Sequence, residues 1–205
     1  MTANEITTIL FDVGGVIVVP LDPLANVQRR DQLAARHGFG SGAEMWDHFF
    51  ESDTWTAAKT GKMVHTEMWQ TLLQPLGMSS DADRDEFLAQ LYADEGMLPG
   101  MRALIATLHG DYRLGILSNW DDRLEEILED KLDIAHYFHA ILNSHRIGVA
   151  KPDKESYLMA LKQLQAEPHE VLFIDDLSRN TKVAAAMGMH THVYRDLPNL
   201  VQDLK

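Results

Sequence analysis

Residues Ile6 to Val16 read ITTILFDVGGV, a short apolar run that ends in a carboxylate, Asp12, and a pair of glycines. A run of this length and composition fits a strand buried on both faces, as in a parallel sheet. The pattern recurs downstream in Tyr112 to Leu117 (YRLGIL), His139 to Leu142 (HAIL), Val171 to Ile174 (VLFI) and His192 to Tyr194 (HVY). Helical spacing separates the later runs. Leu124, Ile127, Leu128 and Leu132 share one face of 121–132, and Tyr157, Leu158, Leu161 and Leu164 share one face of 153–166. An alanine-rich stretch over 179–187 stops at Gly188, a suitable residue just past a helix end. Strand alternating with helix predicts an α/β fold with right-handed crossovers.

Between the first two strands this rhythm breaks. From Pro20 to Gly96 the pattern is helical, with helices expected over 26–37, 43–51, 66–76 and 82–93. Ser80, followed by Asp81 and Asp83, is an N-cap with acid in the first turn. Three of the four tryptophans (Trp46, Trp55, Trp69) fall in this stretch. The expected division is a sheet domain of residues 1–18 and 97–205 around an all-helical insert of residues 19–96. Residues 101–109 are then the helix that returns to the sheet.

Composition narrows the function. The chain has 205 residues, 31 acidic and 18 basic side chains, a formal charge of −13 and no cysteine. That length can bury a core without disulfides or structural metal. The lack of cysteine excludes a disulfide framework, a cysteine-based zinc ribbon, an iron–sulfur cluster and a cysteine nucleophile. The acidic balance argues against nucleic acid or anionic membrane as partner. Met1 to Glu5 contains no basic segment, and no apolar run approaches the roughly 18–20 residues of a membrane span, so a cytoplasmic location is expected.

Ligands of open parallel sheets gather at the carboxyl ends of the strands. Asp12, Ser118-Asn119 and Asp175-Asp176 each follow an apolar run directly, and Lys151 comes just after the loop that follows HAILNS. Any one of these is an ordinary helix cap after a strand. The order Asp, Ser, Lys, Asp-Asp, with a long gap between the first two, is more specific. The stretches 9–16 (ILFDVGGV), 115–119 (GILSN), 148–153 (GVAKPD) with Tyr157 after it, and 173–176 (FIDD) continuing to Asn180 resemble the four motifs of the haloacid dehalogenase-like superfamily. Within it, the resemblance is to the subfamily with a helical cap (C1) after the first strand. It implies a Rossmann-like, doubly wound parallel sheet carrying an inserted α-helical cap.

The chemistry follows from the residue types. A carboxylate at Asp12 can attack phosphorus to give an aspartyl phosphate. Asp12, Asp175 and Asp176 would repel one another unless a cation lay among them, and an all-oxygen donor set suits Mg²⁺. Lys151 offers a positive charge to Asp12 and to phosphoryl oxygens. The Ser118 hydroxyl and the Asn119 backbone N–H can donate to the remaining oxygens. The resemblance implies that Asp176 meets the metal directly, with Asp175 behind it or acting through water, and that Asn180 orients the loop. The expected partner is a small phosphorylated metabolite, and the expected assembly a monomer or homodimer.

One position departs from the family pattern. Where most of its phosphatases carry a second Asp, two residues after the nucleophile, this chain has Gly14. The resemblance assigns that residue two tasks: a backbone carbonyl on the metal, and a side chain that protonates the leaving group and then activates water. Glycine keeps the first and loses the second, a deficit worth roughly 10²–10⁴-fold. The plainer explanation of Gly14 is that a Gly-Gly pair suits a tight turn. Three readings stand: a Mg²⁺-dependent phosphatase that favours good leaving groups or borrows its acid; a catalytically weak phosphate-binding or regulatory protein; and a metal-independent 2-haloacid dehalogenase, a branch that also lacks the second Asp.

Other groups are weighed more briefly. His190 with His192 and His136 with His139 have metal-like spacing but no evident third ligand. Trp120 and Arg179 adjoin motif residues and could approach a substrate. The aromatics of the insert are read chiefly as core. Arg29-Arg30, Lys59 to Lys62 and the acidic run from Asp121 to Asp130 are read as solvated helix faces.

Overall fold

The computed structural model describes residues 6–204. The first half runs β1 (Thr8–Phe11), β2 (Val19–Pro20), α1 (Pro23–Arg36), α2 (Gly42–Phe50), α3 (Asp53–Lys59), α4 (His65–Leu73), α5 (Asp81–Leu91), β3 (Glu95–Gly96) and α6 (Pro99–Asp111). The second half runs β4 (Arg113–Ser118), α7 (Leu124–Glu126), β5 (Ala140–Asn143), α8 (Ser144–Ile147), α9 (Lys154–Leu164), β6 (Val171–Asp175), α10 (Ser178–Ala186), β7 (His190–Val193) and α11 (Leu197–Asp203). Residues 1–5, on which part of the expectation about an export signal rests, lie outside the described range. No described helix is long and apolar enough to cross a membrane.

Five strands form one parallel sheet in the order β5-β4-β1-β6-β7. β1 is central, so its end delivers Asp12 to the middle of the sheet's carboxyl edge. Alternation along β1 sends Ile9 and Phe11 to one face and Leu10 to the other. The first face is covered by α6 and α11 through Met101, Ile105, Leu108 and Leu200. The second is covered by α9 and α10 through Tyr157, Leu161, Leu164 and Ala184. Burial on both faces explains why β1, β4 and β6 read as continuous apolar runs.

The helices α1 to α5 gather around a separate cluster that includes Leu33, Met45, Phe49, Met68, Trp69 and Phe87. Trp69 is fully buried and stands edge-on to Phe49 at 5.4 Å between ring centroids. A buried aromatic of this size contributes about 3–5 kcal/mol against truncation to alanine. At the two ends of the insert, β2 and β3 pair antiparallel, Val19 with Gly96 and Pro20 with Glu95.

The structure corrects several details. The seven-residue helix α3 was not expected; Ser52 caps it by accepting from the Trp55 N–H at 3.0 Å. The short helices α8 and α11 and the strand pair β2/β3 were also not anticipated. The strand expected at 192–194 begins at His190. The expected helix at 121–132 starts only at Leu124 and continues as a π-type turn over Ile127–Lys131. Asp121 is therefore off the helix, and it is 5% exposed rather than solvated.

Candidate active site

The turn after β1 is closed by hydrogen bonds to two carbonyls. The N–H groups of Ile17 and Val18 donate to Val13 O at 2.9 Å, and that of Gly15 donates to Val18 O at 2.9 Å. The carbonyl of Gly14 takes part in neither. The two glycines differ in what holds them. Gly15 has φ +76°, and a Cβ there would lie 2.4 Å from Asp176 Oδ2. A Cβ on Gly14 would meet only the Trp120 ring, at an ordinary 3.5 Å. The turn requires glycine at 15 and does not require it at 14.

Asp12, Asp175 and Asp176 each place a carboxylate oxygen within 4.8 Å of the other two, forming the one such cluster among the described residues that could hold a metal ion. Lys151 is buried between two of them, with Nζ 2.9 Å from Asp12 Oδ2 and 2.7 Å from Asp175 Oδ2. Asp12 Oδ1 accepts from the Ser118 hydroxyl at 2.9 Å and from the Val13 N–H at 2.7 Å. Asp175 is fully buried and heavily engaged. It accepts from Asn180 Nδ2 at 3.0 Å and from the Leu177 N–H at 2.8 Å, besides Lys151. Asp176 is only half-buried and lines a cleft of about 1030 Å³ between the sheet edge and the insert. That volume is at the upper end for a small-molecule site, roughly 300–1,000 Å³.

One lysine does not neutralise three carboxylates. Burial pushes the Asp12 carboxyl up to about 7; Lys151 pulls against this, and Asp175 and Asp176 add to it. Burial and then Asp175 raise Asp176 as well. Burial disfavours the Lys151 ammonium, but Asp12 and Asp175 outweigh it and hold the group above its ordinary value.

Asn119 has a role the sequence did not suggest. Its side chain accepts from the Lys151 N–H at 2.8 Å and donates to the Lys151 carbonyl at 2.8 Å. It braces the peptide that carries the lysine, in addition to lining the cleft. Asn180, expected to orient the acidic loop, bonds both oxygens of Asp175.

The far wall of the cleft comes from the insert, and here more residues than expected face the site. Trp46, Phe50 and Trp55 line it, as do Trp120 and Arg179, whereas Trp69 and Phe49 are core. Arg30 and Lys59 also line it and are not on a solvated face. Arg30 pairs with Glu95, and its guanidinium lies 3.8 Å from the centre of the Trp46 ring. His65, at the start of α4, was not singled out from the sequence. It lines the cleft, and its Nδ1 lies 2.6 Å from Asp121 Oδ2. The histidine pairs with metal-like spacing stay apart from the site. His190 is exposed, His192 bonds Asp203 at 2.9 Å, and His139 Nδ1 accepts from the Leu114 N–H at 3.2 Å.

Residues 6–188 match the haloacid dehalogenase-like hydrolase family. The bifunctional epoxide hydrolase 2 of Sus scrofa is 25% identical over 213 residues, covering 96% of this chain and 38% of that protein. The chain thus spans well under two thirds of that relative. Among solved structures, a HAD family enzyme from Bacteroides thetaiotaomicron in complex with magnesium and inorganic phosphate superimposes with a TM-score of 0.72 at 22% identity, covering 96% of this chain and 99% of that one. The L-2-haloacid dehalogenase of Xanthobacter autotrophicus superimposes with a TM-score of 0.64 at 21% identity, covering 98% and 82%. With a family match over nearly the whole chain and a parallel sheet that gathers the motif residues at one edge, the chain belongs to the haloacid dehalogenase-like hydrolases.

Proposed function

We propose that this protein hydrolyses the phosphate monoester of a small metabolite with the help of Mg²⁺, through attack of Asp12 on phosphorus. The observation that carries the reading is the convergence of Asp12, Asp175 and Asp176 beside a single lysine. The donor set is hard oxygen throughout, and the raised Asp12 carboxyl marks a place short of positive charge. Asp12, Asp176 and the free carbonyl of Gly14 would hold the ion, with Asp175 behind them or acting through water. Bound there, Mg²⁺ would offset the charge of nucleophile and phosphoryl group. Lys151 and the Ser118 hydroxyl hold Asp12 by separate oxygens, which fixes the direction of attack. The same two groups, with the Asn119 N–H, are positioned to receive phosphoryl oxygens. The insert acts as a cap whose movement admits substrate and excludes water.

Gly14 supplies no acid, so the activity favours leaving groups that depart readily or receive a proton from elsewhere in the cleft. The missing carboxylate and the likeness to a haloacid dehalogenase favour a second reading, halide displacement without metal. The acidic cluster, which that chemistry does not need, argues against it. A screen of phosphate monoesters with and without Mg²⁺, with Asp12→Asn as blank, tests the proposal. Mg²⁺-dependent phosphate release that Asp12→Asn abolishes is expected. Chloride release from 2-chloropropionate in the presence of a chelator would favour the dehalogenase. Binding across the panel without turnover would favour a regulatory protein.

A further inference from the structure

The cleft lacks a proton donor at Gly14 but holds a histidine that the scheme above does not use. His65 begins α4 in the insert and reaches across to the loop after β4. Its Nδ1 lies 2.6 Å from Asp121 Oδ2, and its backbone N–H donates to Asp122 Oδ1 at 2.6 Å. Asp121 is itself fixed, since its other oxygen accepts from the Arg123 N–H at 3.0 Å. A carboxylate on Nδ1 sets the tautomer: Nδ1 donates, and Nε2 is left to accept or pass a proton. Arg123 approaches Nε2 at 3.5 Å, the outer limit of a hydrogen bond, while its fork is engaged by Glu126 at 2.7 and 3.1 Å.

Asp47 of the insert also lines the cleft and is exposed to solvent, whereas four other ionisable groups on its wall are poorly suited. Glu95 is committed to Arg30, and Glu51 faces Arg179 at 3.6 Å near the rim. Burial pushes the Tyr92 hydroxyl far above its ordinary value. Burial lowers the Lys59 ammonium, which lies by the Glu51–Arg179 pair. Imidazole is the side-chain type that gives and takes a proton near neutral pH, and His65 is the histidine among the cleft's described lining.

We propose that the His65–Asp121 pair, contributed jointly by the insert and the sheet domain, supplies the acid and base that Gly14 cannot. The inference rests on the phosphatase reading above. In the first half-reaction Asp12 forms a bond to phosphorus, the bond from phosphorus to the leaving oxygen breaks, and that oxygen takes the proton from His65 Nε2. In the second, water attacks the phosphorus of the aspartyl phosphate and gives its proton to the neutral imidazole. The Asp12–phosphorus bond breaks, inorganic phosphate departs, and carboxylate and imidazolium are restored. Asp121 orients the ring throughout.

A series of phosphate monoesters from 4-nitrophenyl through phenyl to benzyl tests this, with Mg²⁺ present. A departing nitrophenolate needs no proton, whereas a benzyl alkoxide does. His65→Gln is expected to lose about 100-fold in kcat/KM on benzyl phosphate and only a few-fold on 4-nitrophenyl phosphate. Asp121→Asn should show the same gradient more weakly, and imidazole added to His65→Ala should restore benzyl turnover. A side chain that merely ties the insert to the sheet domain would reduce all members alike, so equal losses overturn the proposal. So does a leaving-group gradient that appears in Lys59→Ala and not in His65→Gln. Parent protein that releases phosphate from no member of the series, with or without Mg²⁺, refutes the phosphatase reading itself and this inference with it. That result is distinct from equal losses in an active enzyme.

Discussion

Substituting Gly15 by alanine separates the two glycines of the first turn. The new Cβ would lie 2.4 Å from Asp176 Oδ2 and 2.6 Å from its Cγ. Ordinary contact requires roughly 3.5 Å, so the carboxylate must retreat by about 1 Å. The backbone adds a second cost, because φ is +76° and a left-handed conformation is unfavourable by about 1–2 kcal/mol for a residue with a side chain. In a chain of this length each kcal/mol lowers Tm by roughly 2–4 °C, so a fall of about 2–8 °C is expected. Displacing a carboxylate from the cluster should weaken Mg²⁺ binding by at least about 10-fold, the effect of disturbing even the groups that orient a ligand. Gly14→Ala is the matched control for folding. Its Cβ meets Trp120 at 3.5 Å without a positive φ, so its stability should change by no more than about 0.5 kcal/mol. Scanning calorimetry of the metal-free proteins and Mg²⁺ titration calorimetry read both quantities. Gly15→Ala that binds Mg²⁺ as tightly as the parent, or Gly14→Ala that unfolds the earlier of the two, would refute the reasoning.

Other expectations follow from the same site. Gly14→Asp should raise turnover of alkyl phosphates more than of aryl phosphates, as measured by phosphate release; equal or reduced rates on both would count against the role assigned to this position. Asn119→Ala removes both bonds that brace the Lys151 peptide and should cost about 1–3 kcal/mol in denaturant unfolding, with weaker inhibition by inorganic phosphate. The Asp12 carboxyl sits near 7 in the folded protein against 3.8 as its ordinary value, so between those values the folded state holds the extra proton. Stability of the metal-free protein should therefore fall as pH rises from about 4 to about 7, and Asp12→Asn should flatten that slope. Mg²⁺ favours the ionised carboxylate, so its affinity should rise through the same window with release of a proton.

The strands β1, β4 and β6 were legible because burial on both faces leaves continuous apolar runs, whereas the half-exposed edge strand β7 was only partly read; the motif residues were legible because each closes such a run or the loop after it. What escaped was short or long-range. Asp53–Lys59 is seven residues, too few for a clear helical period beside Trp55 and the helices around it. The two-residue strands at 19–20 and 95–96 have no period at all. Asp121 read as part of an acidic helix face because Asp122, Glu125, Glu126 and Glu129 follow it. It is buried, and its side chain meets His65, 56 residues earlier in the chain. Asn119 was expected to offer its backbone and instead spends its side chain on Lys151, a contact across 32 residues that no local pattern contains. Gly14 and Gly15 look alike in sequence, and only the backbone conformation at Gly15 and the position of Asp176 distinguish the one the fold requires.

The central claim is that Asp12 attacks phosphorus. A single turnover of a phosphate monoester with Mg²⁺, quenched in acid and followed by mass spectrometry of the peptide around ILFDVGGV, tests it directly. A phosphoryl group on Asp12, with isotope from labelled water appearing in the released phosphate and not in the aspartate, is the predicted result. Phosphate release with no adduct at Asp12, or full turnover by Asp12→Asn, would contradict the account.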